Sequence, residues 1–201
     1  MLTTRELSPQ MWPQLERLFG AKGACAGCWC MFWRLEKGET FDGLKGVAAK
    51  ARFRKLVASG AAHGVLAFNG DEPVGWCSFE RRVELAKLDR APSLACDDAA
   101  QVWSLPCFFV ASGWRGKGVA SVLLRAALIA LRARGARIVE SYPVKPRGVG
   151  LIPAAFAHTG VPALFEPAGF KLVEARAVGK QRYRKLLRPP AKRAVRRSKL
   201  R

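Results

Sequence analysis

Val102-Trp-Ser-Leu-Pro-Cys-Phe-Phe-Val110-Ala-Ser-Gly-Trp-Arg115-Gly-Lys-Gly-Val-Ala120 runs from an apolar, β-prone segment through a glycine-rich turn into a helical pattern. Residues 102–110 predict a long strand, and Pro106, which has no amide for a ladder, predicts a bulge or a gap in it. Beyond the turn, Ala120, Leu124, Ala127, Leu128 and Leu131 recur at helical spacing on one face, and Gly135 fits the C-terminal cap. Residues 138–142 predict another strand. Strand, turn, helix and strand in that order make a crossover unit, whose two strands must lie parallel.

Upstream, residues 3–7 predict a short strand and residues 10–19 a helix ended by a glycine. Residues 47–58 predict a second helix, with Ala49, Phe53, Leu56 and Val57 on one face and Gly60 after it. Residues 65–68 and 74–79 flank Asn69-Gly-Asp-Glu-Pro73, which suits an antiparallel hairpin. Downstream, a short helix over 162–166, a turn at Ala168-Gly169 and strands over 170–177 and 181–187 complete the pattern. The expected fold is α/β, with a mixed, mostly antiparallel sheet flanked by helices.

A chain of 201 residues suits one domain, assigned to residues 1–188. Half of the residues are apolar, which excludes a disordered chain, and no apolar run approaches the roughly 20 residues of a membrane span. The first residues carry no apolar run of signal-peptide type, so a cytoplasmic protein is expected, with its six cysteines reduced. The net charge is +20, and from Gly179 onward eleven basic residues occur without an acidic one. Residues 189–201, opened by Pro189-Pro190, are expected to be a disordered basic tail. A solvated terminus and a nucleic-acid or ribosome contact through residues 180–201 are both open.

Arg115-Gly116-Lys117-Gly118-Val119-Ala120 sits where a strand hands over to a helix. Helix starts present unpaired amides and partial positive charge, so glycines there can admit a pyrophosphate, with Arg115 and Lys117 adding charge. A Walker loop fails, since no Ser or Thr follows Gly116-Lys117. A dinucleotide fingerprint competes: Gly116-Lys-Gly-Val-Ala-Ser121 approximates it, and Glu140 lies about 20 residues on. The residues between Val110 and Gly116 and the upstream hairpin weigh against it.

Arg115, Gly118 and Ala120 also stand in register with the Arg/Gln-x-x-Gly-x-Gly/Ala motif, and this segment resembles that of the GCN5-related N-acetyltransferases. Ala163-Leu-Phe-Glu-Pro-Ala-Gly-Phe170 is similar to that family's late L-Y-E-x-x-G-F segment. Gly27-Cys-Trp-Cys-Met31, Pro73-Val-Gly-Trp76 and Val139-Glu-Ser-Tyr-Pro143 resemble a bacterial branch of it. The resemblance covers residues 3–187. It implies acetyl-CoA as co-substrate and a primary amine as acceptor, joined by direct attack on the thioester. It further implies a cofactor site of Phe108, Phe109, Val110, Arg115, Gly116, Lys117, Gly118, Val119 and Ala120. The amides of Phe109 and Val110 would bond the pantetheine arm, and that of Val110 would polarise the thioester carbonyl.

The family's late tyrosine, the usual acid, is replaced by Phe165, and Ser104 falls near the position of its usual glutamate base. Glu140, Tyr142 and Glu80 are the candidate substitutes, Glu140 and Tyr142 because period two puts them on one face of their strand. For Glu140 a structural pairing with a basic side chain is equally open, and a water chain to solvent could replace a dedicated base. The missing acid and base also leave open a non-catalytic protein on this fold that binds nucleic acid. Cys25, Cys28 and Cys30 admit zinc binding, thiol chemistry or packing near the acceptor, and no metal is assigned. His63 and His158 receive no role. The oligomeric state stays open, a dimer included.

Overall fold

Apolar periodicity and turn residues set most of the element boundaries. In the computed structural model, which describes residues 1–145, 157–174 and 179–188, β1 (Leu2–Glu6) leads into α1 (Trp12–Phe19), α2 (Phe41–Leu44) and α3 (Val47–Ala58). A single 3-10 turn over Pro9–Met11 precedes α1, and Thr40 caps α2 by accepting the Gly43 amide at 3.2 Å. The hairpin forms from β2 (His63–Asn69) and β3 (Glu72–Arg81), both longer than expected, around Gly70 at φ +57°. Next come α4 (Ala86–Asp89), which periodicity did not predict, and β4 (Val102–Val110), which has the expected bounds.

The crossover follows as α5 (Val119–Ala133) and β5 (Ile138–Ser141). The chain then forms β6 (Val144–Lys145), α6 (Pro162–Phe165), β7 (Lys171–Glu174), β8 (Gly179–Lys180) and β9 (Arg182–Leu186). The main sheet has the order β1-β2-β3-β4-β5-β9-β7, while β6 and β8 pair separately. All its neighbours are antiparallel except β4 and β5, as the crossover requires. Residues 175–177 of the strand expected over 170–177, and the tail 189–201, lie outside the described residues.

One face of the sheet packs on α5 through Val65, Cys77, Leu105, Leu123, Leu124 and Ala127, among others. The opposite face packs on α1 and α3, where Trp12, Phe19, Trp29, Phe53 and Trp76 form an aromatic core. The buried stripe of α5 includes Leu123 and Ala130, while the expected Ala120 and Leu128 sit at its margin, half-buried. No helix among the described residues is long and apolar enough to cross a membrane.

The basic run from residue 180 onward, for which a nucleic-acid or ribosome contact is one of two open readings, begins inside the fold. Arg184 binds Asp98 and Glu140, Arg182 donates to the Ala95 carbonyl, and Lys185 donates to that of Ala168. Strand pairing of β9 with β5 and β7 draws these cations inward, so they are spent on internal contacts.

Candidate active site

β4 and β5 pair in parallel from Val102↔Ile138 to Leu105↔Ser141 and then separate. Pro106 stands at the parting and offers no amide, and beyond it β4 keeps β3 as its only strand partner among the described residues. The β3–β4 register shifts between Ser78 and Glu80, so β4 carries one extra residue there, the bulge that Pro106 predicts.

The shift decides which amides face the gap. The Ala111 amide donates to the Val74 carbonyl at 3.0 Å, and antiparallel partners alternate between bonded and non-bonded pairs. Trp76↔Phe109 is therefore a bonded pair, while the backbones of Phe108 and Val110 turn from β3 toward the space that β5 has vacated. Phe109, expected to present its amide to the pantetheine arm, instead commits it to β3. Its ring packs against Phe19 at 5.6 Å. Arg115 Nε donates to the Val110 carbonyl at 3.1 Å, tying the gap to the turn that follows.

In that turn Gly116 has φ +71° and Gly118 φ +77°, and a Cβ at either would meet no atom within 4 Å. The glycines are needed for the left-handed backbone, not for lack of room. Gly118 is the N-cap of α5, and the amides of residues 116–120 donate to no backbone carbonyl among the described residues. Lys117 Nζ rests 5.4 Å from the Trp114 ring centroid. Amides, helix dipole and two cations thus converge on one concave turn beside the gap, an arrangement suited to a diphosphate.

The three proton-transfer candidates are all buried and engaged. Glu140, fully buried, takes Arg82 Nη1 at 3.0 Å on one oxygen and Arg184 at 2.6 and 3.0 Å on the other. That is the pairing its sequence left open, and it leaves the carboxylate without a free face. Tyr142 Oη lies 2.7 Å from Ser104 Oγ and 2.8 Å from Arg82 Nη1. Burial pushes its phenol far above the ordinary range in spite of Arg82. Glu80 is held by Arg34 and by His63 Nδ1 at 2.7 Å. Phe165 packs on Phe108 and Phe170, at 5.8 and 5.3 Å, as a core residue. Sequence reasoning missed Arg82: it is fully buried and joins Asp89, Glu140, Tyr142 and the Leu94 carbonyl, and no local pattern marks it.

The segment between α1 and α2 folds over the face opposite α5, burying Trp29, Met31, Trp33 and Leu35. Ala24, Ala26, Trp29 and Cys30 adopt positive φ there, a left-handed path unusual for side chains with a Cβ. Trp76 Nε1 donates to Cys30 Sγ at 3.1 Å. Hydrogen bonds from Cys107 and Trp76 hold the Cys30 thiol below its usual value, whereas burial pushes Cys28 up to about 11. Among the described residues no group of three or more His, Cys, Asp or Glu is placed to hold a metal ion.

Comparison with known proteins bears on this arrangement. No curated protein matches the chain. Among solved structures it is similar to an N-acetyltransferase from Staphylococcus aureus Mu50, with 14% identity, 94% of this chain and 99% of that one covered, and a TM-score of 0.55. A GCN5-related N-acetyltransferase from Kribbella flavida aligns with 19% identity over 92% of this chain and 98% of that one, TM-score 0.55. A phosphinothricin acetyltransferase from Sinorhizobium meliloti, solved in complex with acetyl-CoA, aligns with 15% identity over 95% of this chain and 94% of that one, TM-score 0.55. These identities establish a shared fold. Residues 27–147, more than half the chain, match the acetyltransferase (GNAT) family itself, and with the parted strands and the glycine turn on the expected residues, the chain belongs to that family.

Proposed function

We propose that the protein is an acetyl-CoA-dependent N-acetyltransferase that transfers the acetyl group to a primary amine by direct attack on the thioester. The observation that carries this is the gap beyond Leu105 and Ser141, where the amides of Phe108 and Val110 have no partner strand among the described residues. An extended pantetheine arm can bond there as a strand would, while the amides of residues 116–120, Arg115 and Lys117 receive the pyrophosphate. Bound acetyl-CoA supplies an acyl group already activated as a thioester. The solution of a phosphinothricin acetyltransferase of the same fold with acetyl-CoA supports this assignment.

In this proposal the Val110 amide donates to the thioester oxygen and stabilises the charge that develops on it. As the amine nitrogen bonds to the acetyl carbon the carbon–sulfur bond breaks, the amine gives up one proton and the thiolate takes one. Tyr142 suits a hydrogen-bond donor better than an acid, because its phenol holds its proton far more tightly than a thiol of pKa near 8.5. Glu140 and Glu80 are clamped by arginines and position their neighbours. The amine's proton leaves to solvent, and the protein contributes orientation and carbonyl polarisation.

The test is the melting temperature with acetyl-CoA, free CoA and NAD, followed by thiol release with a panel of amines. The expected result is a rise with acetyl-CoA that disappears in the Arg115→Glu, Gly118→Asp variant. A rise with NAD alone would overturn the proposal.

A further inference from the structure

At the mouth of the gap, on the face opposite α5, lies a small aromatic cluster with two cations over it. Phe32 and Trp33 meet edge to face at 5.0 Å, and Trp33 packs on Tyr142 at 6.4 Å, immediately after the end of β5. Lys87, from α4, sets its Nζ 3.7 Å from the Phe32 ring centroid, and Lys180, from β8, sets its Nζ 5.7 Å from that of Trp33. Lys180 is fixed beside β5 because its neighbour Gln181 donates its amide to the Pro143 carbonyl at 2.8 Å.

Neither ammonium has a carboxylate or hydrogen-bond partner among the described residues. Burial lowers both below the usual lysine value, helped by Arg90 at Lys87 and by Lys87 at Lys180. Asp89, the acid nearest to Lys87 in the chain, is taken by Arg82. The sequence stretches 146–156 and 175–178 contain no Asp or Glu. A separate observation concerns the same cluster: Trp33, 6% exposed, buries its indole N–H without an acceptor among the described residues. Two partly buried cations and a buried, unsatisfied donor are each unfavourable alone, and an anion bound at this cluster would offset that cost.

We propose that Lys87, Lys180 and the Trp33 indole N–H form the anion subsite of the acceptor pocket, so that the acceptor is a primary amine carrying a carboxylate or phosphate. This rests on the N-acetyltransferase assignment and narrows its acceptor. The aromatic faces leave the cations partly stabilised between turnovers. The same cations repel polyamines and other acceptors without an anion, so the subsite selects by exclusion as well as by attraction.

The experiment uses the full chain. Matched acceptors are compared at saturating acetyl-CoA: glutamate with glutamic acid diamide, phosphoethanolamine with ethanolamine, a peptide with an acidic N-terminal segment with a basic one, and spermidine. The anionic member of a pair is expected to have kcat/KM at least about tenfold higher, the scale of one charge-assisted contact. Lys87→Gln and Lys180→Gln should each raise KM for that acceptor about tenfold, with kcat nearly kept. Lys180→Arg should restore most of the difference, and KM for acetyl-CoA should stay unchanged throughout. The small molecules against the peptides identify the source of the anion.

Binding of N-acetylglutamate and N-acetylputrescine in the presence of CoA, measured by calorimetry, reads the subsite without turnover. Preference for the anionic compound that vanishes in the double Lys→Gln variant is the expected outcome. Equal binding to protein and variant, or faster turnover of neutral or cationic amines, would overturn the subsite while leaving the enzyme assignment standing. Failure to bind acetyl-CoA would overturn the enzyme assignment, with the anion preference still read from the calorimetry.

Discussion

Leu105 pairs with Ser141 as the last rung between β4 and β5, and the next residue of β4, Pro106, has no amide to extend the ladder. The extra residue of the β4 bulge then decides that Val110 turns its amide into the gap while Phe109 spends its amide on β3.

Proline substitution separates these two amides. Val110→Pro removes a donor that no strand among the described residues uses, so the melting temperature should move little, while thiol release should fall about 100- to 1000-fold, as for a lost oxyanion donor. Phe109→Pro removes a ladder bond and a ring packed on Phe19, and should destabilise by about 3 kcal/mol or more. Thermal melts and single-turnover thiol release on both variants check this. The opposite ranking would assign the amides the other way round.

The left-handed backbone of the turn gives a second expectation. Gly118 at φ +77° has open space around it, so Gly118→Ala introduces strain without a clash and should cost about 1–2 kcal/mol. For a domain of this size that lowers the melting temperature by roughly 2–8 °C, and acetyl-CoA should raise it by less than it raises that of the parent protein. A calorimetric melt with and without acetyl-CoA measures both.

Much of this was legible in the sequence wherever short-range order decides the structure. The bounds of β4 and α3, the parallel crossover, the hairpin and the glycine turn all follow from periodicity and turn chemistry within about a dozen residues. What escaped depends on long-range pairing. One bulge reversed the roles of Phe108 and Phe109, and no periodicity reports the register of a partner strand. Glu140 finds Arg82 and Arg184 far along the chain, so its spacing from Tyr142 leaves catalysis and pairing with a basic side chain equally open, and only the fold shows those partners. The basic stretch from residue 180 read as a charged surface because its acidic partners lie far away in the chain, and only the sheet order shows that Arg184 faces Asp98 and Glu140.

That anchor has a pH signature. The two-pronged hydrogen bonds from Arg184, at 2.8 and 2.9 Å, hold the Asp98 carboxyl below its usual range, so the folded state binds its proton less readily than the unfolded chain. Its contribution is therefore complete at neutral pH and is lost as pH falls below about 4 and through the folded value. Because Asp98 is partly exposed, Asp98→Asn should lower stability at pH 7 by about 1 kcal/mol or less, with the difference from the parent shrinking toward zero in acid. Melting temperatures of both proteins across that range test the sign.

The clamped carboxylates make a last prediction about the proton. With Glu80, Glu140 and Tyr142 held by Arg34, Arg82, Arg184 and His63, none is poised to take a proton from the amine, which must arrive neutral from solvent. The rise of kcat/KM with pH should then follow the pKa of the acceptor, moving when an amine of different basicity is used. Glu80→Gln and Tyr142→Phe should reduce kcat less than about tenfold, well short of the roughly 100- to 10,000-fold lost with a general base. Any loss of stability in Glu80→Gln would appear in the melt without displacing the pH midpoint. A midpoint that stays fixed across acceptors and disappears in one of these variants would identify that residue as the base.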